Sequence, residues 1–169
     1  MADFNEAVKK SLIIEAGYWD DPRGGPTKYG ITEPTLAEAK RRGIVPADRT
    51  TKDLTPGEAA AIYKVLFWDV VKGDFFSSQA VAEELFDTAI NCGPGTAVKC
   101  AQRALQFLGE MLTADGALGA ITYKHIEKWC QKNPEALFRA MNGEQYIYYK
   151  SIKGITFPAG WMKRIQDYN

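Results

Sequence analysis

Apolar side chains recur along most of this chain at the three-to-four-residue spacing of helices, and one short early stretch breaks that rhythm. The pattern predicts a first helix from Asp3 to about Ala16. At roughly 100° per residue, Phe4, Ala7, Val8, Ser11, Leu12 and Ile14 share one face, with Asp3, Asn5, Glu6, Lys9 and Lys10 opposite and Ile13 the single misfit. Gly17 is a plausible terminator. Tyr18 to Pro26 reads as a turn-rich stretch, and Thr27 to Thr32 as the one segment with extended character. Helical signals dominate thereafter. Pro34 opens a helix that Gly43 closes. Thr55-Pro56-Gly57-Glu58 is a capping box with proline at the first helical position, and it opens a helix through about Trp68. After the loop Val71 to Asp74, a helix from about Ser78 to Asn91 is stopped by Gly93-Pro94-Gly95. Further helices are predicted from Thr96 to Leu108, from the Asp115–Gly119 turn to about Gln131, from Pro134 to about Ile152, and from Trp161 to Gln166. The fold class is therefore mainly α, with at most a minimal β element.

One residue sits badly in this pattern. Glu15 falls within about 20° of Phe4 and Val8 on the helical wheel, near the middle of the apolar face. Burial disfavours a charged carboxylate and raises its pKa. The carbonyl end of the helix pushes the same way, more weakly. A carboxyl that holds its proton near neutral pH is what glycosidic cleavage needs, because the leaving oxygen must be protonated. Asp20-Asp21-Pro22 then supplies carboxylates in a polar setting where an aspartate stays ionised, and one raised plus one ordinary carboxyl is a glycosidase pairing. Tyr18, Trp19 and Tyr29 offer flat faces to sugar rings. Thr27 and Thr32 offer hydroxyls to a water or a sugar. The competing reading lets Glu15 snorkel to the helix end or pair with Lys28 or Arg23, and makes Asp20-Asp21 a turn cap.

Composition narrows the chemistry. The 169 residues are 46% hydrophobic and 25% charged, and 21 Lys+Arg balance 21 Asp+Glu. That balance gives no sign of nucleic-acid binding. Residues 1–90 hold 11 basic against 15 acidic groups, net −4; residues 91–169 hold 10 against 6, net +4. A basic back half suits an anionic polymer such as bacterial wall, although scatter explains the difference equally well. The lone histidine, His125, lies in a charged helical stretch and reads as a surface residue. Zinc hydrolases usually need two or three histidines, so carboxylate chemistry without metal or cofactor is expected. Cys92, Cys100 and Cys130 are an odd set, read as reduced and partly buried. No apolar run is long enough to span a membrane. The opening Met-Ala-Asp-Phe-Asn-Glu lacks the marks of a signal peptide, so release from a cytoplasm by another agent is expected.

The run from Ile14-Glu15-Ala16-Gly17-Tyr18-Trp19-Asp20-Asp21-Pro22 to Gly25-Pro26-Thr27-Lys28-Tyr29-Gly30-Ile31-Thr32 resembles the signature of glycosyl hydrolase family 108. That signature is roughly E-G-G-Y-x-N-D-P followed by G-G-x-T-x-Y/F-G-I-T. Ala61-Ile62-Tyr63-Lys64, Phe67-Trp68-Asp69 and Leu85 to Gly93 continue the likeness. Ala101 to Gln106, Asp115 to Gly119 with Thr122, and Gly160 to Ile165 resemble the helical peptidoglycan-binding module that follows in that family. The resemblance implies a lysozyme-like fold, with a catalytic part at 1–92 and a helical wall-binding part at 93–169 packed against it. It implies an N-acetylmuramidase, or a phage or secretion-associated endolysin, that acts on bacterial peptidoglycan, with a holin as the usual phage partner; a monomer is expected. The family's catalytic glutamate falls on Glu15, and the aspartate of its N-D-P turn on Asp21. Ala16 departs from the usual glycine. Asp20 replaces the usual asparagine and sets a second charge beside Asp21, which leaves open which aspartate serves the chemistry.

Other residues have plainer roles. Trp68 and Trp129 are expected in the core, and Trp161 is a candidate sugar platform. Of Tyr146 and Tyr149 one is expected buried and the other at a groove, with Tyr148 on the same helix. Asn91 is either a helix cap or a cleft hydrogen-bonder to an N-acetyl group. Lys40-Arg41-Arg42 is a solvated helix end. The alternatives are a lytic transglycosylase, which needs a single acid, and a non-catalytic wall-binding or secretion accessory protein.

Overall fold

The computed structural model describes residues 1–14, 17–21 and 25–152. Helix α1 (Phe4–Ile14) begins where Asp3 turns its carboxylate onto the Asn5 N–H at 2.7 Å. Ala7, Val8 and Ser11 are buried on the face that periodicity assigned to the core. Phe4 completes an aromatic cluster with Trp68 and Phe86, whose rings lie 5.7 and 6.0 Å away. Tyr63 joins it edge-on to Phe86. Edge-to-face packing of this kind adds to the area that the rings bury.

Three antiparallel strands follow, β1 (Tyr18–Asp21), β2 (Gly25–Lys28) and β3 (Ile31–Thr32), in the order β1-β2-β3. The turn-rich reading of Tyr18 to Pro26 therefore needs correcting. Tyr18 and Trp19 have strong strand propensity, and β1 pairs Tyr18 with Lys28, Trp19 with Thr27, Asp20 with Pro26 and Asp21 with Gly25. Asp20 and Asp21 thus belong to a strand backbone, not to a turn. Between β2 and β3, Tyr29 (φ 53°) and Gly30 (φ 68°) form a two-residue connection with both φ values positive, as a type I′ hairpin turn requires.

Thr32 then flanks α2 (Glu33–Arg41), with Pro34 in its first turn and Gly43 (φ 69°) after its end. The capping box at Thr55 opens α3 (Pro56–Tyr63), its two halves made by Thr55 and Glu58. The expected α-helix through Trp68 changes pitch instead. From Lys64 to Trp68 the backbone makes a π turn, closed by Asp69 N–H onto Lys64 O at 2.9 Å. Trp68, fully buried, donates its Nε1–H to Asp74 at 2.6 Å.

Helices α4 (Gln79–Cys92), α5 (Pro94–Phe107), α6 (Ala120–Lys132) and α7 (Pro134–Ser151) form the rest of the described chain. The break between α4 and α5 is narrower than Gly93-Pro94-Gly95. Gly93 alone (φ 84°) ends one helix and starts the next, and Pro94 is already helical because its missing N–H would be unsatisfied there anyway. Helix α4 packs on both α5 and α7, and buried side chains from α1 through α7 belong to one continuous core. Trp129 is in that core, and Tyr149 is buried while Tyr146 is exposed. Among the described residues no helix is long and apolar enough to cross a membrane. The predicted helix 161–166, with Trp161, lies outside the described residues.

Candidate active site

The site predicted from sequence centres on Glu15, which lies outside the described residues, as do Pro22 and Arg23. What the structure describes is the ground on both sides of it. Before it, α1 ends at Ile14 with Val8 and Ser11 turned into the core. After it, Gly17 (φ 139°) adopts a backbone that side chains rarely take and leads into β1. The Tyr29 N–H donates to Gly17 O at 3.3 Å, so the hairpin turn folds back onto the chain two residues past Glu15.

The sheet collects most of the remaining candidates. Tyr18 is 46% exposed at the start of β1. Asp20 and Asp21 occupy the second half of that strand's backbone. Thr27 and Thr32 are cross-strand partners, both half-buried. The Thr32 hydroxyl shares a hydrogen with Thr35 at 3.1 Å. Tyr29 is half-buried, packs against the core, and accepts a 2.6 Å hydrogen bond on its main-chain oxygen from the Tyr63 hydroxyl. Lys28, one competing partner for Glu15, sends its ammonium to the main-chain oxygen of Lys52 at 2.7 Å.

Asn91 stands apart, on the last turn of α4. Its Nδ2 donates to the main-chain oxygen of Asp87 at 2.8 Å and to the Asp87 carboxylate at 3.1 Å. These bonds stay within its own helix. His125 is half-buried, not fully on the surface, with Nδ1 2.8 Å from Glu110. Hydrogen bonds from Lys128 and Trp129 hold the Glu110 carboxyl down at about 2. A pocket of about 510 Å³ lies on the polar side of α1, lined by Glu6, Lys9, Lys10 and residues of α4, and contains none of the predicted site residues. Arg41 and Arg42 are both tied to Glu38, as a solvated helix end would be.

Two features escaped the sequence reading. Tyr63 was noted only inside a motif, although a tyrosine in the apolar run Ala61-Ile62-Tyr63 already asks where its hydroxyl goes. Glu84 is 1% exposed on α4, in a polar layer facing α7. Thr88 donates to it from within α4, Asn142 donates to it from α7 at 3.4 Å, and Gln145 donates to Thr88 at 2.9 Å. Burial, helped by the nearby Asp87 charge, pushes the Glu84 carboxyl up to about 8. The wheel test applied to α1 would have found it, since Val81, Leu85 and Thr88 are buried around it.

A helical body with a small antiparallel hairpin inserted after the first helix defines the lysozyme-like class. The family model described as Glycosyl hydrolase 108 matches residues 8–93, and the one described as Predicted Peptidoglycan domain matches 96–166. The chain belongs to the glycosyl hydrolase 108 family. The solved structure titled "Structure of Brucella abortus SagA" is similar to it, at 30% identity over 96% of this chain and 89% of that one, with a TM-score of 0.81. No curated protein matches. The two family matches support a glycoside hydrolase acting on peptidoglycan.

Proposed function

We propose that the protein is an N-acetylmuramidase of endolysin type, hydrolysing the β-1,4 bond between N-acetylmuramic acid and N-acetylglucosamine. Residues 1–92 serve as the catalytic part and 93–169 as the wall-binding part. Glu15 is the general acid. Asp21 supports the developing oxocarbenium ion or positions water, and Tyr18, Asp20, Thr27, Tyr29, Thr32 and Asn91 contact the glycan. The observation that carries the reading is the burial of Val8 and Ser11, because Glu15 continues their row in sequence just before the hairpin. A carboxyl in that row meets apolar neighbours and keeps its proton until the leaving oxygen takes it. The family match spanning 8–93 includes both Glu15 and Asp21. The protein acts as a monomer on the wall after release, with a holin as the route.

Glu15→Gln tests the acid directly, being nearly isosteric and unable to donate that proton. The expected result is a folded protein whose wall-lytic rate is lower by about 10² or more. Lysis near the wild-type rate would remove Glu15 from the mechanism. Asp21→Asn is expected to lose more activity than Asp20→Asn when the two are assayed separately. Mass spectrometry of digested peptidoglycan reads the reaction itself. Reducing muramic ends support hydrolysis, whereas anhydromuramic ends would make the enzyme a transglycosylase. Wall binding without any cutting would leave only an accessory role.

A further inference from the structure

We propose that Tyr63 is a positioning residue for the catalytic acid, acting through the Tyr29–Gly30 turn. The inference rests on the reading of Glu15 given above. Tyr63 is the last residue of α3 before the π turn, and its side chain is 1% exposed. Its ring packs edge-on to Phe67 and Phe86, at 5.9 and 6.1 Å, a setting in which phenylalanine would pack as well. What tyrosine adds is the hydroxyl, which donates at 2.6 Å to the main-chain oxygen of Tyr29 across 34 positions of sequence.

Tyr29 is where a tie is needed. Its φ of 53° lies in the left-handed region, where a bulky side chain is strained and persists only if its surroundings hold it. Asparagine or glycine is the usual residue at the first position of a type I′ turn. Here a tyrosine stands there with its ring against the core and its carbonyl held by Tyr63. The N–H of the same residue donates to Gly17 O at 3.3 Å. A single strained residue thus connects α3 to the chain two positions beyond Glu15. Fixing that connection fixes where the segment carrying the acid re-enters the sheet. General-acid catalysis is sensitive to such placement, because a displacement of about 1 Å can cost about 10²-fold in rate.

The test is Tyr63→Phe, assayed on a soluble peptidoglycan oligosaccharide beside wild type, Glu15→Gln and Thr55→Ala. Thr55→Ala weakens the other end of α3 by removing its cap and leaves the hairpin untouched. Tyr63→Phe is expected to keep its circular dichroism and its KM, to lose about tenfold in kcat, and to show a shifted acid-dependent limb in its kcat–pH profile. Thr55→Ala is expected to lose stability with kcat unchanged. A double-mutant cycle adds a readout that no general loosening would produce. Glycine takes positive φ without strain, so Tyr63→Phe should cost less than about twofold when introduced into Tyr29→Gly. Wild-type kcat and pH profile in Tyr63→Phe, an equal kcat loss in Thr55→Ala, or a full tenfold loss in the Tyr29→Gly background would each overturn the inference. Full activity in Glu15→Gln would overturn the underlying reading and this inference with it. Inactive Glu15→Gln beside an unimpaired Tyr63→Phe would sink this inference alone.

Discussion

The Tyr29–Gly30 turn of the hairpin after α1 is held through its main chain. Tyr63 reaches the carbonyl of Tyr29, and the Tyr29 N–H reaches the carbonyl of Gly17. Between α4 and α7 the ties run from side chain to side chain, through Glu84, Thr88, Asn142 and Gln145, all of them buried. Main-chain ties fix where a segment lies without consuming its side chains. Side-chain ties lock two helices into one register and use up the groups that make them. The first arrangement suits the proposed role of the hairpin in presenting side chains to a glycan. The second suits two helices, α4 and α7, whose packing register must be specific.

The side-chain layer can be broken by pH alone, and this is the largest effect expected. Glu84 keeps its proton up to about pH 8 in the folded chain, against an ordinary value of 4.5 when exposed. Between those values the folded state holds more protons than the unfolded one. Its contribution to stability is therefore complete below about 4.5 and is lost as the pH rises through about 8, at a limiting slope near 1.4 kcal/mol per unit. Urea denaturation at pH 5, 6.5 and 8 is expected to show this decline in the wild type, amounting to about 3–4 kcal/mol across the series. Glu84→Gln keeps the shape and removes the titration, so its decline should be flatter by that amount. Parallel curves for the two proteins would show that Glu84 ionises freely when folded.

A second side-chain knot, behind α5, tests how far the back half relies on such ties. Gln102 is 1% exposed and donates through Nε2 to Asp115 at 2.8 Å, to Ala117 O and to Thr122, while its Oε1 accepts from the Gly116 N–H at 2.8 Å. One amide thus binds three consecutive residues of the Asp115–Gly119 turn that precedes α6. Gln102→Ala removes all four of these bonds at once, leaves a cavity where the buried amide sat, and is expected to cost about 2–3 kcal/mol in thermal or urea melts. Its activity on soluble oligosaccharide should remain, because the hairpin is not involved. A loss below about 0.5 kcal/mol would mean that the turn holds itself.

The same contrast explains what could be seen in the sequence. Helices were legible because periodicity and caps are local, as at Thr55 with Glu58 and at Pro134, which opens α7 as expected. Core tryptophans were legible for the same reason. Strand β1 was not, because Asp20-Asp21-Pro22 looks like a turn until β2 is there to pair with it. The π turn at Lys64–Trp68 changes pitch without any glycine or proline to announce it. Glu84 obeyed the rule that drew attention to Glu15, an acid on an apolar face, and was open to the same test. The tie from Tyr63 to Tyr29 could not be read, since no local rule pairs residues so far apart in sequence.

The smallest expected effect concerns Lys28, and it sharpens the reading of the hairpin most. Sequence alone offered Lys28 as a partner that would keep Glu15 ionised. Its ammonium instead donates to the carbonyl of Lys52 and lies 5.5 Å from the centre of the Tyr29 ring. Lys28→Met retains the aliphatic stem and deletes the charge. One solvent-accessible hydrogen bond is lost, so melts should show a decrease of about 0.5–1 kcal/mol. If the ammonium serves only as an anchor to the Lys52 loop, the kcat–pH profile of lysis will superimpose on that of the wild type. If it pairs with Glu15, removing it must raise the acid's pKa and carry the alkaline limb of that profile to higher pH. A shift of one unit there would return Lys28 to the acid's surroundings and take away the apolar setting on which Glu15 as proton donor depends.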